Sequence, residues 1–437
     1  MATDTGDPIP RFPAGFLWGV STSAHQIEGA ADEREASVWD VFTAEPGRVK
    51  DGSTAAVACD HYHRYREDVA LLAGLGVDAY RFSVSWPRVN SPGGLDFYDR
   101  LVDELCAAGV RPVPTLFHWD LPASLDWLER DTAARFAEYV SVVAERLGDR
   151  VTKWITLNEP AEHTLLGHAL GAHAPGRQLL FDALPVAHHQ LLAHGLAVRA
   201  LRAAGATDIG IANSHGPTWP ASEEQADLEA AGFYDILLNR LFAEPVILGA
   251  YPEGIGDLMP GDVSADLKVI SEPVDWYGVN YYAPTRVGAP QGTEIEFGGL
   301  TMPAELPFSV REIEDRPVTD FGWPVVPEGL TELLTTFRDR YGDRLPPVVI
   351  TENGCSYEGV DDQDRIAYLD GHVRALHTAL ESGVDVRGYF VWSLIDNFEW
   401  AEGYARRFGL VHVDHATQQR TPKASYHWFR DVLRAQR

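Results

Sequence analysis

Two glutamates in this chain stand where an apolar segment gives way to a loop. Glu159 follows one short apolar run and precedes Pro160, and Glu352 belongs to a second run that stops at Gly354. Each run has the length of a buried strand, and the proline or glycine marks the point at which a loop begins. Active sites in barrels of parallel strands lie at those strand ends. Two carboxyl groups that face one cavity are the groups needed to cleave a glycosidic bond.

Further polar and aromatic residues lie at or near the ends of other predicted strands. Any one of them has an ordinary role in packing or hydrogen bonding. Together they suit a sugar, because carboxylates and amides bond hydroxyl groups while tryptophan covers the apolar face of a pyranose ring. The set comprises Gln26, Arg81, His118, Trp119, Asp120, Asn158, Asn280, Tyr282, Trp392, Glu399 and Trp400.

The segments that carry these residues alternate with amphipathic stretches. Eight short apolar segments have strand character: Phe16–Ser23, Ala79–Trp86, Val110–His118, Trp154–Asn158, Ile209–Asn213, Trp276–Tyr282, Val348–Asn353 and Tyr389–Ile395. Most are separated by stretches with helical periodicity, such as Tyr62–Leu75, Phe97–Ala108, Asp131–Leu147, Ala187–Ala204, Glu328–Tyr341 and Arg365–Ser382. This alternation predicts a (β/α)8 TIM barrel with its active site at the C-terminal ends of the strands. Since no linker divides the chain, we expect one catalytic domain over residues 1–437.

Composition and charge limit the function classes. The 437 residues are 45% hydrophobic, and 64 acidic against 36 basic residues give a net charge of -28, which opposes binding to nucleic acid or an anionic membrane. The cysteines Cys59, Cys106 and Cys355 lack metal-ligand spacing and no nucleotide-binding motif is present, so we expect no metal or cofactor. Without a signal-like N-terminus or a membrane-length apolar run, we expect a cytoplasmic protein. The sequence leaves its oligomeric state open.

Longer motifs give the chain a family resemblance. The resemblance extends from Phe12–Gly19 to Arg420–Lys423, and it includes Cys59–Tyr65, Tyr80–Ser83, Phe117–Pro122, the two glutamate segments and Trp392–Trp400. By these motifs the chain resembles glycoside hydrolase family 1, the β-glucosidase and β-galactosidase family. The resemblance implies a retaining enzyme that acts on small-molecule or oligosaccharide β-glycosides, releasing terminal non-reducing β-D-glucosyl residues and also β-galactosyl or β-fucosyl residues.

The resemblance assigns the two glutamates different roles. It implies that Glu159 is the general acid/base and Glu352 the nucleophile of a double displacement. Retention of configuration requires the two carboxyl groups to stand about 5 to 5.5 Å apart. It also places Arg81 beside Glu352, where the guanidinium favours the ionised nucleophile and leaves the proton on Glu159.

The resemblance also implies a sugar pocket. Hydrogen bonds to the hydroxyl groups are expected from Gln26, His118, Asn158, Glu399 and Trp400, above a floor formed by Trp392. Tyr282 is expected to contact Glu352, with Asn280 nearby, and Trp119 and Phe408 to line the cavity. One departure from the family pattern is Ala161, which follows Pro160 where many relatives have tryptophan. We expect this replacement to remove a stacking surface on the leaving-group side and to broaden aglycone tolerance.

Other functions fit the sequence less well. A phospho-β-glycosidase needs cationic groups where this chain has Glu399, whose carboxylate would repel a phosphate. A Schiff-base aldolase needs a lysine at a strand end, and none is well placed. A metal-dependent barrel enzyme could use Glu159, Glu352, His118 and Asp120. A noncatalytic sugar-binding protein would be expected to lack one of the two glutamates.

Overall fold

Eight parallel strands form a closed barrel in the computed structural model, which describes residues 7–297 and 300–437. We number the barrel strands β1 (Leu17–Ser21), β2 (Ala79–Ser83), β3 (Arg111–Thr115), β4 (Lys153–Asn158), β5 (Asp208–Ser214), β6 (Trp276–Asn280), β7 (Val348–Asn353) and β8 (Val386–Trp392). Each strand pairs with its neighbour in chain order, and β8 closes the barrel against β1. The predicted TIM barrel is therefore confirmed.

Long helices cover the outside of the barrel. They span His61–Leu75, Gly94–Ala107, Asp131–Leu147, Leu184–Ala203, Pro327–Tyr341, Gln363–Glu381 and Ala424–Gln436. Shorter helices span Ala24–Ile27, Val38–Thr43, Trp86–Val89, Pro160–Glu162, Gln225–Asp235, Leu241–Leu248 and Val263–Ile270. The helices predicted from periodicity are all found, with ends that differ by a few residues, because the apolar stripe marks the buried face better than it marks the caps.

Insertions in the loops form small sheets that the sequence reading did not predict. Thr218–Pro220, Thr285–Gly288 and Ser309–Arg311 form one sheet, and Ile295–Phe297 pairs with Leu300–Met302. Val411–Asp414 pairs with Gln419–Pro422 in the segment after β8. Most of these strands contain only a few residues, too few to show a clear alternation of apolar and polar side chains.

Several predicted strands had wrong ends; the third, for example, was predicted to reach His118, whereas β3 stops at Thr115. The second was predicted to reach Trp86, but β2 stops at Ser83 because Ser85 caps the helical turn Trp86–Val89. The last was predicted as Tyr389–Ile395, whereas β8 begins at Val386. The exposed Arg387 interrupts the apolar run and hid the true start of that strand.

The barrel interior is a packed core rather than a channel. Each strand contributes one buried residue to it: Leu17, Ala79, Val113, Ile155, Ala212, Trp276, Val349 and Phe390. A larger apolar core fills the space between strands and helices. The interior is thus closed below the strand C-terminal ends, and side chains at those ends border an opening that we call the mouth.

Two further observations concern the class of the protein. Across residues 7–297 and 300–437, no helix has the length and apolarity required to cross a bilayer. All three cysteines are free: Cys59 and Cys355 are buried, and Cys106 is exposed.

Candidate active site

A break in strand alternation brings Glu352 to the mouth. On β7, Val349 belongs to the barrel interior and Ile350 to the outer core, so strict alternation would point Glu352 outward as well. The pairing of β7 with β6 shifts register between Ile350 and Glu352. Asn353 now faces outward and donates to the Tyr281 carbonyl at 2.8 Å. The shift therefore reverses the alternation and turns Glu352 inward.

A similar shift precedes Glu159. The pairing of β4 with β5 changes register between Ile155 and Asn158. The Glu159 amide then donates to the Ala212 carbonyl of β5 at 2.8 Å, while Glu159 itself has a left-handed backbone with φ 46°. Trp119 and Trp400 share this unusual conformation, with φ 74° and 52°. Such backbone strain costs about 1–3 kcal/mol per residue and concentrates at functional sites.

One hydrogen-bond network joins the two glutamates. Arg81 donates to Glu352 Oε1 at 2.5 Å and to Asn158 Oδ1 at 2.5 Å. Asn280 Nδ2 donates to Glu159 Oε1 at 2.8 Å and to the same Asn158 oxygen at 3.0 Å. The Tyr282 hydroxyl donates to Glu352 Oε2 at 2.7 Å. The two carboxyl groups thus belong to one site rather than to separate cavities.

The electrostatic surroundings of the two glutamates differ. Burial raises the pKa of Glu159 well above its usual value, and the negative charges of Glu352 and then of Glu162 add to the rise. Burial also raises the pKa of Glu352, but Arg81 and the Tyr282 hydroxyl oppose that rise. The surroundings therefore favour a proton on Glu159 beside an ionised Glu352.

Gln26 and Glu399 form a buried polar pair on one side of the mouth. Gln26 Nε2 donates to Glu399 Oε2 at 3.2 Å and to the Phe398 carbonyl at 3.0 Å, while its Oε1 accepts from the Ser23 hydroxyl at 2.6 Å. Burial and the nearby charge of Glu352 raise the pKa of Glu399 to about 8. The pair is held in place before any ligand arrives, which suits it to bind two neighbouring hydroxyl groups.

Aromatic rings pack beside this polar pair. His118 stacks on Trp392 with ring centroids 5.7 Å apart, and Trp400 lies 6.0 Å from His118 and 4.7 Å from Trp119. Burial lowers the pKa of His118 well below its usual value, so its ring is neutral. Trp119 Nε1 donates to the Asn158 carbonyl at 3.0 Å. The structure therefore brings the predicted sugar-binding residues together around one mouth.

Phe408 is buried, and the structure adds Trp323 beside it. Phe408 is 1% exposed, and its ring lies 6.4 Å from Tyr282 and 6.0 Å from Trp323. Trp323 stacks on Phe321 at 4.3 Å and lies 5.3 Å from Tyr282. The sequence analysis missed Trp323, although a tryptophan between Gly322 and a proline in the loop after β6 is a recognisable signal.

Arg365 is a second residue that the sequence analysis did not identify as part of the site. From the first turn of its helix it donates to the carbonyls of Tyr357 at 3.0 Å, Arg407 at 2.7 Å and Phe408 at 3.0 Å, and it pairs with Asp362 at 2.6 Å. These carbonyls belong to the loops that follow β7 and β8. The buried guanidinium therefore fixes the two loops against each other.

The remaining sequence expectations meet different outcomes. The described residues contain no cluster of three or more His, Cys, Asp or Glu side chains arranged for a metal ion. Asp120 is buried, and burial raises its pKa to about 8. Ala161 is only 1% exposed, whereas the next residue, Glu162, is half-buried. The effect of Ala161 on aglycone tolerance stays a prediction.

Comparisons with known proteins agree with this geometry. The family model described as glycosyl hydrolase family 1 matches residues 9–437. Beta-glucosidase A of Thermotoga maritima is 42% identical, with 98% of each chain covered, and a bifunctional beta-D-glucosidase/beta-D-fucosidase of Bifidobacterium breve is 41% identical, covering 97% of this chain and 98% of that protein. The crystal structure of a psychrophilic beta-glucosidase from Micrococcus antarcticus matches with a TM-score of 0.92 at 44% identity and 98% coverage of each chain.

Proposed function

Because this chain belongs to glycosyl hydrolase family 1, we propose that it is a retaining β-glucosidase that uses Glu159 as general acid/base and Glu352 as nucleophile. The observation that carries the proposal is the single network in which Asn280 bonds Glu159 while Arg81 and Tyr282 bond Glu352. Within that network, the surroundings of one carboxyl group favour its protonated form, and a neighbouring cation favours the ionised form of the other.

The first step forms an ester between the sugar and the protein. Glu352 attacks the anomeric carbon, the bond from that carbon to the leaving oxygen breaks, and Glu159 donates its proton to that oxygen. Arg81 and Tyr282 hold the attacking carboxylate in position. Their hydrogen bonds also keep Glu352 ionised in a buried site, where burial alone would favour its neutral form.

The second step hydrolyses the ester. Formation of the ester removes the negative charge of Glu352, so one of the causes that raise the pKa of Glu159 disappears. Glu159, now ionised, accepts a proton from water as the water oxygen attacks the same face of the anomeric carbon that the aglycone left, and the bond from that carbon to the Glu352 oxygen breaks. The released sugar keeps the β configuration.

The sugar specificity rests on the residues beside the catalytic pair, which we call the glycone pocket: Gln26, His118, Trp392, Glu399 and Trp400. We propose that they bind a terminal non-reducing β-D-glucosyl residue, with β-fucosyl and β-galactosyl residues also accepted. The name of the Bifidobacterium relative, a bifunctional beta-D-glucosidase/beta-D-fucosidase, supports the acceptance of β-fucosyl residues. We also propose that Asn158, which is bonded to both Arg81 and Asn280, contacts the 2-hydroxyl, an interaction that strengthens in the transition state.

Other parts of the proposal concern partners and location. The net charge of -28 opposes binding to nucleic acid and to anionic membranes. The alternative of a phospho-β-glycosidase is disfavoured because Glu399 would face a phosphate group. The cytoplasmic location stays a prediction.

A rate panel of p-nitrophenyl β-glycosides tests the function. We expect the highest kcat/KM for the glucoside, β-glucose as the first product seen by NMR, and a loss of at least about 10⁴-fold in Glu352→Ala. The wild-type enzyme under the same conditions is the reference, and circular dichroism checks that the variant is folded. Release of the α-anomer first, or turnover that survives in Glu352→Ala, would refute the mechanism.

A further inference from the structure

Three buried side chains form a hydrogen-bond network on the outer side of the barrel, next to the nucleophile. The network joins Asn353, which follows Glu352 on β7, to Tyr368 of the helix Gln363–Glu381 and to Tyr389 of β8. The Tyr389 hydroxyl donates to Asn353 Oδ1 at 2.7 Å, and Asn353 Nδ2 donates to the Tyr368 hydroxyl at 3.1 Å. Each of the three side chains is at most 2% exposed. We call them the outer network, in which the Tyr389 hydroxyl determines which way the Asn353 amide points.

The outer network holds the backbone that carries Tyr282. Asn353 Nδ2 also donates to the Tyr281 carbonyl at 2.8 Å, and the Tyr368 hydroxyl donates to the Tyr282 carbonyl at 3.3 Å. Both carbonyls follow Asn280, the last residue of β6, so side chains satisfy them where the strand has ended. The outer network therefore fixes the direction in which the backbone leaves the strand.

Tyr282 connects this backbone to the nucleophile. Its hydroxyl donates to Glu352 Oε2 at 2.7 Å, a hydrogen bond that favours the ionised carboxylate. A tyrosine side chain has only two rotatable bonds, so a rotation of the backbone at Tyr282 moves the hydroxyl away from the carboxylate. Arg81, Glu159 and Glu399 also act on Glu352 through their charges or protons, and they lie on other segments of the chain.

We propose that Asn353 and Tyr368 are positioning residues, which fix the backbone of Tyr282 and so direct its hydroxyl at the nucleophile Glu352. The inference rests on the proposed function, since it requires that Glu352 attacks as a carboxylate. It adds to the site two side chains on the outer side of the barrel, which act through Tyr282 rather than on the substrate.

The pH dependence of kcat/KM for 2,4-dinitrophenyl β-glucoside tests the proposal, because ester formation from this substrate needs an ionised Glu352 but little help from an acid. Tyr282→Phe removes a hydrogen bond to the carboxylate, so the acid limb of the profile should move about one pH unit higher. Tyr368→Phe should move the limb in the same direction by about half as much and lower kcat/KM at neutral pH about fivefold. In the double variant the limb should stay where Tyr282→Phe alone places it, because no Tyr282 hydroxyl then remains to be positioned.

Tyr426→Phe is the matched control, because it also removes a buried tyrosine hydroxyl that donates to a backbone carbonyl, in this case that of Leu71 at 2.7 Å between two outer helices. This control should keep the wild-type acid limb. Tyr389→Phe removes the donor to Asn353 Oδ1 and should shift the limb in the same direction as Tyr368→Phe. It replaces Tyr368→Phe in the test if circular dichroism shows that the latter does not fold.

The outcomes separate the inference from the proposed function. A wild-type acid limb in folded Tyr368→Phe, or in Tyr389→Phe where that variant replaces it, would overturn the inference. So would shifts that add in the double variant, since Tyr368 would then act independently of Tyr282. A limb that does not move in Tyr282→Phe would instead refute the proposed function, because Glu352 would not be the ionised nucleophile.

Discussion

The glycone pocket and the aromatic pair Phe321 and Trp323 both adjoin the catalytic network but differ in how completely the protein covers them. In the pocket, Gln26 is 0% exposed and Trp400 5%, and Gln26 is already hydrogen-bonded to Glu399. In the aromatic pair, Phe321 and Trp323 are both half-buried, and Trp323 lies 5.3 Å from Tyr282. A buried pocket whose side chains are ordered before substrate arrives binds a rigid sugar with little loss of side-chain freedom, whereas a more accessible surface constrains its ligand less.

The largest expected effect concerns the catalytic acid that the proposal assigns to Glu159. Glu159→Gln should reduce kcat/KM for alkyl glucosides at least about 10³-fold, because their leaving oxygen needs a proton. For 2,4-dinitrophenyl β-glucoside the formation of the ester should change far less. Wild-type kcat/KM should fall above the raised pKa of Glu159, where the acid loses its proton, and this basic limb should vanish in the variant. Persistence of the limb in a pH profile would exclude Glu159 as the acid.

A pair of substitutions compares the two regions directly. Glu399→Gln should lower kcat/KM for p-nitrophenyl β-glucoside about 10²-fold, since it replaces a carboxyl oxygen that bonds the sugar with an NH2 group that cannot accept a hydrogen bond. Trp323→Leu, in the half-buried aromatic pair, should lower it less than about tenfold because it removes only ring contact. Steady-state kinetics on both variants measure the two losses in kcat/KM. Equal losses would show that the two regions contribute alike.

The smallest expected effect concerns the support of the glycone pocket. Asp396 lies at the base of the loop that carries Glu399, and it is bonded to Lys423 at 2.8 Å and to His412 at 3.2 Å. Although burial alone would raise its pKa, Lys423 and His412 lower the pKa of Asp396 to about 2. Since this lies below the ordinary value of 3.8, the ionised group stabilises the fold above about pH 4.

Asp396→Asn should accordingly lower the free energy of unfolding at pH 7 by about 2–3 kcal/mol. The difference from the wild type should shrink as the pH falls from 4 towards 2, where the wild-type carboxylate gains a proton. Urea unfolding at several pH values measures this. Glu381→Gln, at an exposed helix end, serves as the control with little expected change. A difference that stays constant with pH would contradict the assigned charge.

The sequence determined much of the fold because each strand and helix carries its own local pattern. Short apolar runs ended by proline or glycine placed the glutamates at strand ends, and these positions hold in β4 and β7. The errors occurred where local pattern is weak. Arg387 interrupts the apolar run at the start of β8, so that start was not predicted. The short strands of the loops contain too few residues to show an alternation of apolar and polar side chains.

Residue types and long motifs also determined the members of the site, whereas only the tertiary structure decided how they face one another. The register shifts that turn Glu352 and Asn158 inward depend on pairing with neighbouring strands, which is a long-range property. The same holds for Arg365, whose helical sequence does not show that it bonds two distant loops. These contacts form when segments that are remote in sequence pack together, so they cannot be predicted from a local sequence pattern.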